Sequence, residues 1–336
     1  MLSGLEYLGL FLAKALIIIF LILFLVVMLL LIASKARDKL KERLTIRHFN
    51  EKLDDIKENL LYETLTKDDF KKFLKEKKKK LKKKNKNTRK KSKVFVLQFQ
   101  GDIQASAVAT LRESITAILT IATPQDEVVI KLESGGGMVH SYGLATSQLK
   151  RIRDQKIPLT VAVDKIAASG GYLMAAVANQ ILAAPFAIIG SIGVVFQMPN
   201  FHRALQDKHI DFEQITAGDY KRTLTIFGKN TEEGREKLRQ ELEAIHQQFK
   251  SVIQDFRSDL DIQRVATGEH WLAQQALELK LVDQLITSDA YLINRSDTAD
   301  IYEVNYEIKK SFSEKFKIMT QHLMEMKGLG NWLPRA

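Results

Sequence analysis

The sequence contains no cysteine among its 336 residues. Disulfide bridges, zinc–thiolate sites and a cysteine nucleophile are therefore excluded. The absence leaves the redox compartment open, because a protein without disulfides can function on either side of a membrane. Hydrophobic residues make up 46% of the chain, which is ample for a sizeable core. The length favours one domain with appendages.

Basic residues strongly outnumber acidic ones in only one part of the chain. Residues 35–93 hold 24 Lys/Arg and 10 Asp/Glu, whereas the whole chain carries a net charge of +11. The remainder is thus slightly acidic, and the basic character belongs to one segment. A nucleic-acid-binding domain would spread basic residues over a folded face, with aromatics or a recognisable module. The segment offers neither, so we expect no nucleic-acid partner.

Polar residues are absent from the 19-residue run Ala15–Ala33, ALIIIFLILFLVVMLLLIA. A helix of this length spans about 28 Å, close to the hydrocarbon thickness of a bilayer. No small-residue cleavage pattern follows, and basic residues do. A helix of this length buried in a protein core would be expected to contain some polar residues. We therefore expect residues 1–34 to be a membrane anchor formed by one transmembrane helix.

Glycine and proline are absent from residues 35–93, which we interpret as a basic linker. Apolar residues at roughly helical spacing predict a helix over 38–75. The block 75–93, KEKKKKLKKKNKNTRKKSK, should repel itself and stay extended or mobile. The linker is either simply solvated or lies on anionic lipid headgroups.

Strands alternate with helices over residues 94–290, which we expect to form the folded domain. Strand patterns occur at 94–101, 126–137, 158–171 and 180–196, and helical patterns at 142–153, 172–178 and 231–258. This alternation predicts parallel βαβ units and an α/β fold. Residues 291–336 are left as a C-terminal extension.

Two glycine-rich turns directly follow predicted strands. The first, ESGGGMVH (133–140), could hold an oxyanion on consecutive backbone N–H groups, and it lacks the spacing of a phosphate-binding loop. The second, AASGGY (167–172), places Ser169 where a strand turns into a helix, which would expose its hydroxyl. The alternative is that Ser169 only caps the helix.

A serine nucleophile needs a base. None of the seven histidines stands in a compact catalytic pattern, and His140, beside the first turn, is the best of them. Lys221 lies among apolar residues in AGDYKRTLTIFG (217–228). Apolar surroundings would disfavour its charged form, and a neutral amine can accept a proton from serine. The alternative is an ordinary surface lysine.

These motifs together resemble the SohB/SppA family of membrane serine peptidases, of the signal peptide peptidase type. The similar stretch is roughly 94–290, preceded by an anchor in the same place. It includes the blocks VVIKLESGGGMVHSYGLA, PLTVAVDKIAASGGYLMA, APFAIIGSIGVVFQMPN and TAGDYKRTLT. The resemblance implies a crotonase/ClpP-like α/β fold and hydrolysis of peptide bonds through a Ser-Lys dyad.

The resemblance also implies a role for each matching residue. Ser169 would be the nucleophile, Lys221 the general base, and Ser191 a partner that orients the lysine. The N–H of Gly170, with that of Gly136 or Gly137, would form the oxyanion hole. One departure is Gly135, where the family usually has proline; its freedom could loosen the loop.

The same resemblance implies peptide or protein substrates, such as signal-peptide or membrane-associated fragments, a homo-oligomer, and no cofactor or metal. It places the protein in a bacterial cytoplasmic (inner) membrane. The side stays open, because the Lys/Arg residues after the anchor favour a cytoplasmic domain and family precedent favours the outer face. Two other interpretations are a non-catalytic scaffold and a crotonase-type acyl-CoA enzyme, which usually has a carboxylate acid/base.

Overall fold

The described part of the chain begins with one uninterrupted helix. The computed structural model describes residues 4–37, 43–84, 91–218 and 220–307, with side chains for 11, 12, 14–28, 44–79, 91–218 and 220–307. Helix α1 (Gly4–Arg37) contains the predicted anchor. Its large apolar side chains from Phe11 to Met28 are each 46–71% exposed. Within these described residues no helix is long and apolar enough to cross a bilayer, so the anchor stays a prediction.

A single mixed sheet organises the rest of the described chain. Its strands are β1 (Arg43–His48), β2 (Ser92–Gly101), β3 (Glu127–Ser134), β4 (Leu159–Val163), β5 (Ile166–Ala168), β6 (Gln180–Ala183), β7 (Ile188–Gly190), β8 (His270–Leu272), β9 (Gln284–Leu285) and β10 (Ala299–Glu307). The main path runs β1-β10-β2-β3-β4-β6-β9. From β10 to β9 neighbouring strands are parallel.

Helices connect and cover the strands. They are α2 (Phe49–Thr64), α3 (Lys67–Lys84), α4 (Val108–Leu119), α5 (Val139–Asp154), α6 (Gly170–Ala176), α7 (His202–Gln206), α8 (Glu232–Phe256), α9 (Ile262–Val265), α10 (Ala273–Glu278) and α11 (Ser288–Ser296). The alternation of strands and helices confirms the predicted α/β class.

The central strands are buried on both faces, which is why their sequences read as nearly continuous apolar runs. In β2, Phe95, Leu97 and Phe99 join the core cluster that includes α4 and α5. Val94 and Val96 point the other way, into a second cluster with residues of α2, α11 and β10. The period of two along the strand thus divides one sequence between two helical layers.

Strand β3 branches, and the branch positions the site. Its residues Val128 to Lys131 pair with β4, whereas its last residue, Ser134, pairs with Ala167 of β5. Strand β5 pairs in turn with β7, and β7 pairs antiparallel with β8. The turns after β3, β5 and β7 therefore lie side by side.

The segment predicted as a linker is largely folded. Residues 43–48, expected to be helical, form β1, because Leu44, Ile46 and His48 alternate as in a strand. Residues 75–84 continue α3 instead of staying extended. Acidic residues of α2 offset the lysines there, as in the ion pair between Lys77 and Glu58. Residues 38–42, 85–90 and 308–336 lie outside the described residues.

The folded unit is also longer than the predicted domain 94–290. One compact unit covers Thr45–Asn305. It includes α2 from the predicted linker and most of β10 from the predicted C-terminal extension. Both belong because they complete the second core cluster around β2.

Asn50 of α2 fixes this helix on the sheet. Its amide nitrogen donates to the carbonyl oxygens of Ser296, at 2.9 Å, and Ala299, at 3.0 Å. Its amide oxygen accepts from the N–H of Ile301 at 2.8 Å. One side chain thus satisfies three backbone groups at the start of β10.

Replacing Asn50→Ala should lower the free energy of unfolding by about 1–3 kcal/mol, because partly buried backbone groups lose their partners. Asn59→Ala on the same helix is the matched control. Asn59 is exposed, and its change should stay within about 0.5 kcal/mol. Urea denaturation of both variants measures the difference. Equal stabilities would mean that α2 is not held through Asn50.

Candidate active site

Ser169 stands at a strained turn between β5 and α6. Its φ is +51° and its ψ −122°, a conformation that non-glycine residues rarely adopt and that often marks functional sites. Its backbone N–H donates to the carbonyl oxygen of Gly190 at 2.8 Å. Its side chain makes no capping hydrogen bond to α6. Ser169 therefore occupies the cap position while its hydroxyl stays available.

A cavity of about 780 Å³ opens in front of Ser169. This volume is within the range of ligand-binding pockets. The two glycine-rich turns supply Gly137 and Gly170, α6 supplies Leu173, and α8 forms a wall. The remaining lining is mostly apolar, including Val139, Val194, Val195, Ile245, Phe249, Val252 and Phe256. An extended apolar chain would fit this surface.

The first glycine-rich turn touches the start of α6. Gly136 has a φ of +89°, and a Cβ there would lie 2.7 Å from the Cβ of Ser169 and 2.8 Å from the nitrogen of Gly170. A Cβ on Gly137 would lie 2.1 Å from the carbonyl oxygen of Ile103. Both positions require glycine because backbone occupies the space that a side chain would need.

Hydrogen bonding distinguishes the two candidate amides of this turn. The N–H of Gly136 donates to Ser134 Oγ at 3.1 Å. The N–H of Met138 donates to the carbonyl oxygen of Ile103 at 2.8 Å. Gly137 lies between them, and its N–H has no acceptor among the described residues. Gly170 is the first residue of α6, where an N–H has no acceptor within the helix.

Ser191 lies beside Ser169. Gly190 and Ala168 are register partners in β7 and β5, so the two serines follow paired residues. Ser191 has a φ of +53°, and its N–H donates to the carbonyl oxygen of Glu269 at 2.6 Å. The structure therefore brings together Ser169, Ser191 and the glycines of both turns.

Lys221 is not among the residues brought together. It is exposed and lines a different cavity of about 690 Å³, together with Arg222, Leu224 and Phe227. The predicted apolar neighbours are present, but the predicted burial of the amine is not found in this single chain. His140 is exposed as well and does not line the cavity of Ser169.

The segment 194–230 explains this placement. Its regular structure is limited to α7, and it is held largely by its own contacts. The ring of Phe227 packs against those of Phe201 and Phe212, and Asn200 donates to the carbonyl oxygen of Thr225 at 2.8 Å. Residues 200–230 thus fold largely on themselves and against the start of α8, where a Cβ on Gly234 would lie 2.3 Å from the carbonyl oxygen of Thr223. Val194 and Val195 of the segment line the cavity of Ser169.

Sequence patterns missed three titratable residues of the cavity, which are Tyr142, Lys150 and Asp255. Tyr142 and Lys150 are on α5, where the helical period predicts only core and surface faces. Lys150 is ion-paired with Asp154 at 2.7 Å. Tyr142 is fully buried.

Comparison with known proteins gives the class. Residues 4–149 match the family described as Peptidase family S49 N-terminal, and residues 151–301 match Peptidase family S49. The chain belongs to peptidase family S49. Among its relatives are proteins named probable protease SohB, which confirms the predicted resemblance.

The relatives differ in how much of their length is matched. The probable protease SohB of Haemophilus influenzae is 53% identical over 223 residues, which are 66% of this chain and 63% of that protein. The one of Buchnera aphidicola subsp. Schizaphis graminum is 47% identical over 314 residues, 91% of each. A solved membrane-bound stomatin-specific protease is 17% identical, with a TM-score of 0.40, covering 61% of this chain and 80% of that one.

Gly136→Ala should destabilise the protein by about 1–3 kcal/mol, because its positive φ and the adjacent backbone leave no place for a Cβ. Gly135→Ala is the matched control, since the nearest atom to a Cβ there is Ile166 Cδ1 at 3.9 Å. That change should raise stability by about 0.4–1 kcal/mol through a less flexible unfolded chain. Thermal unfolding of both variants checks the opposite signs, and the same sign for both would contradict the loop geometry.

Proposed function

We propose that the protein is a membrane-anchored serine endopeptidase that acts through Ser169 and an acyl-enzyme. One observation carries the proposal. The uncommitted hydroxyl of Ser169 stands at an apolar cavity beside the backbone amides of Gly137 and Gly170. A nucleophile next to two unpaired N–H donors is the arrangement that acyl transfer requires.

The reaction follows from these groups. Ser169 Oγ attacks the scissile carbonyl carbon while a base takes its proton, and the amides of Gly137 and Gly170 stabilise the oxyanion. Removal of one such donor typically costs about 2.7–4 kcal/mol of transition-state stabilisation. The proton then passes to the leaving amine as the peptide bond breaks. Water hydrolyses the ester and regenerates the hydroxyl of Ser169.

Lys221 is the proposed base, and Ser191 the proposed partner that orients its amine. A base must come within about 2.6–3.2 Å of the hydroxyl, although catalytic contacts are often absent without substrate. Lys221 lines the other cavity here, so the proposal includes a rearrangement of segment 194–230. The register of β5 and β7 supports it, because this register places Ser191 next to Ser169 at the ends of the two strands.

Assembly is the proposed cause of that rearrangement. Segment 194–230 exposes apolar side chains, with Val195 77% and Ile215 95% accessible. Such residues are more typical of interfaces than of a free surface. We therefore propose a homo-oligomer in which copies of the chain cover this segment.

The fold supports the proposed crotonase/ClpP-like type. Strand β3 divides between β4 and β5, and the turns after β3 and β5 meet at Ser169. One observation favours the alternative of a crotonase-type acyl-CoA enzyme, because Asp255 supplies a carboxylate to the cavity. Membership in a peptidase family favours hydrolysis of peptides.

The apolar lining of the cavity supports apolar peptide segments as substrates, such as signal-peptide or membrane-associated fragments. Helix α1, with its exposed apolar side chains, supports attachment to a bacterial cytoplasmic membrane. We propose both as properties of the full chain, with the side of the membrane left open.

Ser169→Ala and Lys221→Ala should each reduce cleavage of an apolar fluorogenic peptide by at least about 10³-fold, because the nucleophile or its base is lost. Lys229→Ala is the matched control, since Lys229 is an exposed lysine of the same segment. A fluorophosphonate should label wild type and the control at Ser169, located by mass spectrometry. Unchanged cleavage by Ser169→Ala would contradict the proposed function. Unchanged cleavage by Lys221→Ala alone would contradict only the role of Lys221 as the base.

The double change Leu21→Arg with Leu25→Arg should move the protein out of the membrane fraction. Arginine near the centre of a bilayer costs about 2.5–3.5 kcal/mol per residue. Leu21→Ala with Leu25→Ala is the matched control and should stay in the pellet after carbonate extraction. Wild-type protein in the supernatant would contradict anchoring through α1.

A further inference from the structure

Tyr142 lies between the two glycine-rich turns. It is in the first turn of α5 and is 1% exposed. Its hydroxyl donates to the carbonyl oxygen of Asp102 at 2.8 Å and is 2.6 Å from Ser134 Oγ. Tyr142 is therefore a fixed part of the packing, and its hydroxyl faces the first glycine-rich turn.

The direction of these hydrogen bonds follows from counting protons. A phenol has one proton, and the carbonyl oxygen of Asp102 can only accept. Ser134 must therefore donate to the oxygen of Tyr142. Ser134 Oγ in turn accepts from the N–H of Gly136 at 3.1 Å. One directed chain runs from Gly136 through Ser134 and Tyr142 to Asp102.

The ring of Tyr142 meets the second turn. A Cβ on Gly170 would lie 2.4 Å from Cγ of this ring, so the backbone of Gly170 packs directly on it. The hydroxyl thus holds the turn that carries Gly137, while the ring supports the turn that carries Gly170.

We propose that Tyr142 is a positioning residue that sets the separation between the amides of Gly137 and Gly170. This inference rests on the proposed function, in which these amides bind the oxyanion. Stabilisation of an oxyanion depends on donors that are already in place when charge develops. Shifts of about 1 Å in such groups can cost 10²-fold in rate.

The hydroxyl keeps its proton under working conditions. Burial raises the pKa of Tyr142, and this effect exceeds the opposing one of its hydrogen bond with Ser134. The group is neutral below its raised pKa, so the bond to Asp102 persists from neutral to mildly alkaline pH. Its positioning role should therefore not titrate across that range.

Tyr172 provides a matched control. It is a second fully buried tyrosine, on α6 itself, and its hydroxyl donates to the carbonyl oxygen of Leu281 at 3.0 Å. Although Tyr172 is the last residue of the second turn, its hydroxyl is bonded to Leu281, which belongs to neither glycine-rich turn. Tyr142→Phe and Tyr172→Phe each delete one buried hydroxyl and retain the ring. Tyr142→Phe leaves the hydroxyl of Ser134 without this acceptor, and Tyr172→Phe leaves the carbonyl oxygen of Leu281 without this donor.

Tyr142→Phe should lower kcat on the order of 10- to 100-fold for the fluorogenic peptide, with KM within about twofold because the ring still lines the cavity. Tyr172→Phe should lose comparable stability in urea while its kcat stays within about twofold. Equal kcat for both variants, or a change confined to KM, would overturn the inference.

If Tyr142→Phe does not fold, Ser134→Ala tests the same chain of hydrogen bonds. It should lower kcat similarly, and the double variant should be no slower than the worse single one, because both break one unit. Additive losses of kcat would contradict the proposed chain of hydrogen bonds.

Hydrogen exchange separates this inference from the proposed function. Amides of residues 134–138 should exchange faster in Tyr142→Phe and unchanged in Tyr172→Phe, whether or not the protein cleaves peptides. If the wild-type protein neither cleaved the peptide nor reacted with the fluorophosphonate, but this exchange pattern was observed, only the proposed function would be contradicted. Unchanged exchange in Tyr142→Phe would sink the positioning role.

Discussion

The close approach of two backbone turns is the constraint on which the site depends. Gly136 approaches the backbone of Gly170 because it has no side chain, and Gly170 accommodates the ring of Tyr142 for the same reason. The branch of β3 brings their strands to the same edge. Hydrogen bonds on either side of Gly137 then leave its N–H without an acceptor within the described part of the chain. Free amides, a strained serine and an apolar cavity all result from this one packing arrangement.

A second feature is the contrast between this rigid centre and segment 194–230. The centre is built on buried strands and backbone hydrogen bonds. The segment around Lys221 is held mainly by a small aromatic cluster and exposes large apolar side chains. Elements with few buried contacts are those that move most easily. The proposed nucleophile and oxyanion donors are thus preformed, whereas the proposed base depends on a segment that can be repositioned.

The basic character of the chain has a structural counterpart. Lysines of α3 follow an acidic α2, and the pair between Lys77 and Glu58 joins the two helices. Residues 49–84, which form this pair, carry 13 Lys/Arg and 8 Asp/Glu, so they hold part of the excess charge, and Asn50 fixes α2 to the sheet. This arrangement places cationic side chains on a rigid support, which suits a protein proposed to work at a membrane surface.

Local patterns in the sequence determined the α/β class, the strands from β2 to β6 and both glycine-rich turns, because these depend on short periodicities and on residues with special backbone freedom. They also marked Ser169 and the glycines beside it. Tertiary structure alone decided that Gly137, not Gly136, keeps a free amide, that Tyr142 joins the two turns, and that Lys221 lies at another cavity. Strand β1 and the ends of the folded unit also depended on it. Each of these depends on which distant segments meet, and spacing along a chain does not encode that contact.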